Sequence, residues 1–232
     1  MIDELIARAF RVWRENTGLL IAVGILSWLV PIAFSFLLVV IASLFGITDP
    51  ANIPYWAVII TFVASSALMN AVAINGNYAV RKRVGDVKEI TRRAFEHSLE
   101  TATAVLFTAF PAITGALLAL VVITLLGEAW AWLATVLFVV GVLGSVLVTL
   151  MPYYAAEHGW QNAMEHAMDT GKKIYITLLL LNLFFGLIYI TIVLPFDPET
   201  ASFILIAVDT LFLMHLRHQT FFEVLDSVSG RE

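Results

Sequence analysis

Apolar residues run along this chain in long, nearly unbroken stretches at 18–44, 56–80, 102–126, 130–152, 174–196 and 202–221, with polar and charged residues gathered in the gaps. A helix needs about 20 mostly apolar residues to cross roughly 30 Å of hydrocarbon, and each stretch is long enough. In lipid every backbone N–H and C=O must be satisfied within the segment or by a closed barrel, and runs of this length without alternation predict helices. The fold class read from the pattern is therefore all-α. It is a polytopic membrane bundle of six transmembrane helices, forming a single integral membrane domain over residues 1–232. The first stretch follows Arg8, Arg11 and Arg14, but its apolar run far exceeds the roughly 7–15 residues of a signal-peptide core, so it is read as a retained span.

The placement of charge supplies the topology. Thirteen Lys and Arg residues divide among the segment before the first span, the loop between the second and third (Arg81, Lys82, Arg83, Lys88, Arg92, Arg93), the loop between the fourth and fifth (Lys172, Lys173), and the end of the chain (Arg217, Arg231). The three alternate loops hold none and contain Asp49, Glu128, Asp197 and Glu199 instead. The positive-inside rule puts the basic side, and with it both termini, in the cytoplasm of a cell-membrane protein. Proline and aromatic residues mark the opposite turns (Pro50, Pro54, Tyr55, Trp56, Trp130, Trp132, Pro195, Pro198), as expected of helix ends and interfacial anchors.

Within the basic loops an eight-residue motif recurs. AFEHSLET at Ala94–Thr101 and AMEHAMDT at Ala163–Thr170 share four identities, and a weaker copy, AFRVWREN, begins at Ala9. Each copy precedes a pair of apolar stretches, which suggests three units of about 1–82, 83–157 and 158–232. In this reading each unit is one cytoplasmic amphipathic helix followed by a transmembrane hairpin. Units that cross twice keep one orientation, giving parallel repeats. Ile6, Phe10 and Trp13, Phe95 and Leu99, and Met164 and Met168 recur at helical spacing and are expected to form the apolar faces of a cytoplasmic collar. Asp86 with Glu89 reads as a capping pair, and Gly171 as a stop for the third amphipathic helix.

The segment MPYYAAEHGWQNAMEHAMDTGKKIYITLLLLNLF, from Met151 to Phe184, joins a span end, a turn at Gly159, an Ala-rich amphipathic helix and a basic approach to the next span. In this it resembles the membrane domain attached to some bacterial glycerophosphoryl diester phosphodiesterases, and related prokaryotic six-span families. The resemblance implies a six-span fold in a lipid setting. It brings no catalytic residues, because no soluble segment here could hold the phosphodiesterase domain.

Composition narrows the chemistry. Sixty per cent of the 232 residues are hydrophobic, 13% are charged and the mean hydropathy is +0.91, far from a soluble domain with about a quarter charged residues. The absence of cysteine excludes thiolate ligands and nucleophiles. Asp209 lies inside the sixth stretch, where an ionised carboxylate costs about 3 kcal/mol, so it is the first candidate for an intramembrane site. Asn182 and Asn70 are its candidate neighbours. The alternative is a hydrogen-bonded acid that ties helices together. His97, His166, Glu157 and His158 could supply metal ligands on the cytoplasmic face, although His97 and His166 read more simply as two surface histidines inherited by duplication. His215 and His218, beside Arg217, are expected at headgroup level. Arg81, Lys82, Arg83, Lys88, Arg92 and Arg93 could attract anionic headgroups or serve topology alone. Gly141 with Ser145, and Pro31 and Pro111, suggest close helix contacts and kinks.

No phosphate-cradling glycine loop, nucleophile elbow or paired intramembrane carboxylates occur, and no cofactor is called for. The favoured reading is a non-enzymatic membrane protein that associates with lipid or supports a membrane partner. The runner-up is a small-solute or ion transporter or channel using Asp209, and third comes a lipid-modifying enzyme with a histidine site. Membrane lipids and a membrane protein are the partners this implies. The formal charge of −5 points away from nucleic acid.

Overall fold

The computed structural model describes residues 2–160 and 162–230, so Arg231 lies outside the described residues. In chain order the helices are α1 (Ile2–Glu15), α2 (Thr17–Leu44), α3 (Tyr55–Arg81), α4 (Val87–Glu96), α5 (Ser98–Leu126), α6 (Ala131–Leu147), α7 (Met151–His158), α8 (Ala163–Lys173), α9 (Tyr175–Val193), α10 (Pro198–Val208) and α11 (Met214–Ser229). A short turn separates α6 from α7, and a π-helical turn, Asp209–Leu213, links α10 to α11. Six helical stretches are long and apolar enough to cross a membrane: Thr17–Leu44, Tyr55–Arg81, Ser98–Leu126, Glu128–His158, Tyr175–Val193 and Pro198–Ser229.

These match the six apolar runs, with two extensions. The fourth stretch continues through α7 to His158, and the sixth continues through α11 to Ser229. Polar residues lie on a buried face at both ends: Tyr153 and Tyr154 in the first extension, and in α11 His215, His218 and Gln219 just before the second extension and Glu223 within it. Averaging hydropathy along a segment cannot separate a helix end from a helix whose polar groups are satisfied inside the bundle.

Elsewhere the long helices turn large apolar side chains outward. Phe36 is 70% exposed, Phe62 69% and Phe203 69%, a surface that only lipid would cover at no cost. Close packing relies on small residues where backbones meet. A Cβ on Gly115 would lie 2.9 Å from the Gly141 Cα, and one on Gly141 would lie 2.5 Å from the Pro111 carbonyl oxygen. Ser145 Oγ, one turn further along α6, accepts from the Ala112 N–H at 3.2 Å. The small pair and the proline singled out in the sequence therefore meet at the α5–α6 contact.

The three short helices bury alanines rather than their largest apolar residues. Ala9, Ala94 and Ala163, the first residue of each motif copy, are buried, whereas Phe10, Phe95 and Met164 next to them are 43%, 43% and 49% exposed. The expected inward face is thus rotated by one position, because the tight approach to neighbouring helices admits a methyl group and not a phenyl ring. Asp86 does cap α4, accepting from the Lys88 N–H at 3.1 Å. Gly171 does not end α8, which continues to Lys173. Its Cα instead lies against the end of α6, where a Cβ would come within 2.0 Å of the Leu147 carbonyl oxygen.

Helix α1 packs along α11, burying Leu5 and Ala9. Its Trp13 Nε1 donates to the Leu211 carbonyl at 3.1 Å, and its Phe10 and Trp13 rings meet Phe212 edge-on. The first helix therefore closes onto the last. The largest buried cluster includes Tyr153, Tyr154, Leu178, Leu181, Phe221 and Phe222.

Candidate functional site

Asp209 opens the π-helical turn between α10 and α11. Such turns release carbonyls from the regular i→i−4 ladder and recur at functional sites. Here side chains take two of them: His215 Nε2 donates to the Thr210 carbonyl at 2.9 Å, and Trp13 takes that of Leu211. The Asp209 carboxylate accepts a short hydrogen bond from the Tyr189 hydroxyl of α9.

Around Asp209 lies a cavity of about 210 Å³, bordered by Trp28 of α2, Met69 and Asn70 of α3, Tyr189 of α9, and Arg217 and His218 of α11. A second cavity of about 340 Å³ borders Thr108 and Ala112 of α5, Ser145 and Thr149 of α6 and the turn after it, Tyr153 of α7 and Asn182 of α9. Asn70 and Arg217 line both cavities, so that pair stands between the two. Asn70 is eleven residues from Arg81, about 16 Å along α3 at 1.5 Å per residue. Of the neighbours expected for Asp209, Asn70 shares its cavity, whereas Asn182 lines the adjoining one and donates to the Leu178 carbonyl at 2.8 Å.

Two polar atoms are buried without a hydrogen-bond partner among the described residues, Trp28 Nε1 and His218 Nε2, and both residues border the Asp209 cavity. The other ring nitrogen of His218 lies 2.9 Å from the Tyr153 hydroxyl. Arg217 makes no hydrogen bond or ion pair with any described residue, although it borders the same cavity as Asp209 and Tyr189. His215 and His218 are thus interior residues of the bundle, with 0% and 2% of their surface exposed.

A polar ladder runs beside the cavities between α3 and α11. His215 Nδ1 accepts from Asn77 Nδ2 at 3.1 Å, Gln219 Nε2 donates to Asn77 Oδ1 at 3.2 Å, and Arg81 pairs with Glu223 at 2.7 Å and, through Nε, with Asp226 at 3.1 Å. Arg81, one of the candidate headgroup ligands, thus has its guanidinium engaged by two carboxylates of α11. Arg92 and Arg93 are held by Glu89 at 2.6 and 2.9 Å, and Arg92 also by Glu96 at 3.1 Å. The two guanidinium groups pull the Glu89 carboxyl down to about 2. Lys82 reaches Glu157 at 3.8 Å. Arg83 and Lys88 are exposed, which leaves them as the basic residues of this loop best placed to meet a headgroup.

The proposed histidine site comes together only in part. His97, Glu157 and His158 border an open cavity of about 820 Å³ with Glu100. His166 instead packs its ring 5.8 Å from Tyr154. Among the described residues no group of three or more His, Asp or Glu side chains is placed to hold a metal ion.

Sequence reading missed Tyr189, Trp28 and Asn77. Tyrosine and tryptophan within apolar runs register as hydrophobic, although each carries a polar atom. The i, i+4 series His215, Gln219, Glu223 was a legible signal for a buried polar face on α11, matched by Asn77 and Arg81 on α3.

Fold and surface point to a class: a helical multi-pass membrane protein, with cavities between its helices that a few polar side chains border. The sequence matches no family model, and no curated protein or solved structure is similar to it.

Proposed function

We propose that this chain is a cell-membrane protein that binds a small solute inside its six-helix bundle and carries it across. Its termini lie on the cytoplasmic side. The observation that carries this reading is that Asn70 and Arg217 stand between two neighbouring cavities, beside a π-helical turn that presents Asp209. Charged groups in a membrane interior are expensive and are kept where they face a water-filled path or a ligand. A purely structural role for Asp209 would favour a dry, fully paired site, and Arg217, Trp28 and His218 leave polar groups unused.

Three parallel hairpins, each preceded by an amphipathic helix, form the framework of this proposal. The equivalent burial of Ala9, Ala94 and Ala163 supports it. So does the matching use of the motif threonines: Thr101 is bonded to Asn75 at 3.0 Å and Thr170 to Tyr154 at 2.7 Å. The likeness of residues 151–184 to the phosphodiesterase membrane domain agrees with this setting.

The test uses the absence of native cysteine. Met69→Cys and Ala112→Cys place one thiol in each cavity, and Phe62→Cys places one on the lipid-facing surface. Thiols react as thiolates, which need water, so a hydrophilic maleimide should label the first two and spare the third. Two unreactive cavity positions in a folded protein would remove the solute path.

A specific observation also favours a second reading, a lipid-associated accessory protein. An apolar cavity of about 240 Å³ lies between α2 and α4, bordered by Leu26, Leu29, Val87 and Ile90, close in sequence to exposed Lys88 and Arg83. Native mass spectrometry should then show retained phospholipid that is lost when Ile90→Trp fills the groove. Equal retention in the variant would exclude this groove as the lipid site.

A further inference from the structure

Asp209 and Arg217, an acid and a base, border the same cavity, yet no ion pair joins them among the described residues. Asp209 has its one side-chain hydrogen bond from Tyr189. Arg217 has none among the described residues. Leaving an acid and a base apart in a low-dielectric interior forfeits their attraction while retaining the desolvation cost of each. A bound molecule that lies between them and carries both charges would satisfy both.

The donors are arranged unevenly. Trp28 Nε1 and His218 Nε2 are buried without partners on this cavity, and His218 is 2% exposed. The phenolic hydrogen of Tyr153 has no other acceptor among the described residues, so it donates to His218 Nδ1. A neutral imidazole accepting at Nδ1 carries its hydrogen on Nε2. The Arg217 guanidinium therefore makes an oxyanion-binding side, backed by the enclosed indole and imidazole N–H groups in the cavity wall, and the remaining lone pairs of Asp209 make a cation-binding side. A simple anion would meet Asp209, and a simple cation would meet Arg217. The cavity of about 210 Å³ has room for about seven waters at roughly 30 Å³ each, the scale of a small organic molecule.

Resting on the solute-binding reading above, we propose that this cavity selects a zwitterion. A carboxylate or phosphate oxyanion is held by Arg217, and a primary ammonium by Asp209. Free amino acids and ethanolamine-type phospholipid headgroups share this chemistry.

The experiment follows the labelling rate of Met69→Cys in phosphatidylglycerol vesicles. A mixture of the nineteen standard amino acids other than cysteine, whose free thiol would consume the maleimide, should at saturation slow labelling about tenfold, as mass action predicts when about nine-tenths of sites are filled. Acetate or methylammonium alone should change the rate by less than about twofold under the same law. Should phosphatidylethanolamine added to the vesicles slow labelling where the amino acids do not, the zwitterion is the lipid headgroup. Asp209→Asn and Arg217→Gln should each abolish protection while the cysteine stays reactive, which shows the cavity is still formed. Labelling that neither zwitterion slows, or that acetate slows equally, overturns the selectivity and leaves the solute path standing. A cysteine that never reacts overturns the path itself. The comparison with single-charge analogues needs only the Met69→Cys protein, so the proposal stays falsifiable if the charge variants fail to fold.

Discussion

At Gly24 the backbone of α2 comes so near α11 that a Cβ would lie 2.4 Å from the Thr210 carbonyl oxygen and 2.9 Å from His215 Nε2. Glycine is required there by the approach itself, since the π-helical turn pushes that carbonyl toward α2. Gly24→Val should lower stability by about 1–3 kcal/mol, the usual cost of overpacking, read as a loss of thermal midpoint in detergent. An unchanged midpoint would mean that α2 and the π-helical turn do not touch. At the surface, Glu89 lies well below its ordinary value of 4.5, at about 2, because Arg92 and Arg93 donate to it. A depressed carboxyl contributes fully above the unfolded value and loses its contribution as pH falls from 4.5 toward 2. The carboxyl resonance of Glu89, followed by NMR, should hold steady above pH 4.5 and move only below it.

Between elements, the ladder from α3 to α11 shows why a hydropathy reading saw only part of the site. Asn77, His215, Gln219 and Glu223 lower the apolar score of their segments, and α11 was expected to leave the membrane at the polar residues that in fact pack inside. The spans themselves were legible because lipid demands length and apolarity whatever the neighbours. The partners of Asp209 were not, because which face of α9 meets α10 depends on packing, and Tyr189 looks like one more aromatic in a run of apolar residues. Arg81 anchors the ladder at Glu223 and Asp226. Arg81→Met would leave Glu223, whose side chain is 8% exposed, buried without its cation. The expected loss is about 3–5 kcal/mol, and Arg81→Met with Glu223→Gln should recover part of it in the same unfolding assay. No recovery would show that the two residues are not coupled. At the α5–α6 contact, Gly141→Leu should force the helices apart, and crosslinking yields between cysteines on α5 and α6 should fall with it.

For the whole molecule, the proposed three hairpins of one sense would place Lys88 on one side of the membrane and Asp49 and Glu199 on the other. Cysteines at these positions in sealed vesicles of known orientation should label from opposite faces, and same-side labelling would break the parallel arrangement. The central claim is that water enters a bundle whose outer surface is lipid-facing, and power saturation of spin labels addresses both halves at once. A label at Asn182, which borders the larger cavity, should be relaxed more by a water-soluble nickel chelate than by oxygen. A label at Ile190 on the same helix, 59% exposed, should show the reverse. Oxygen dominance at both sites would contradict the account by making the interior dry.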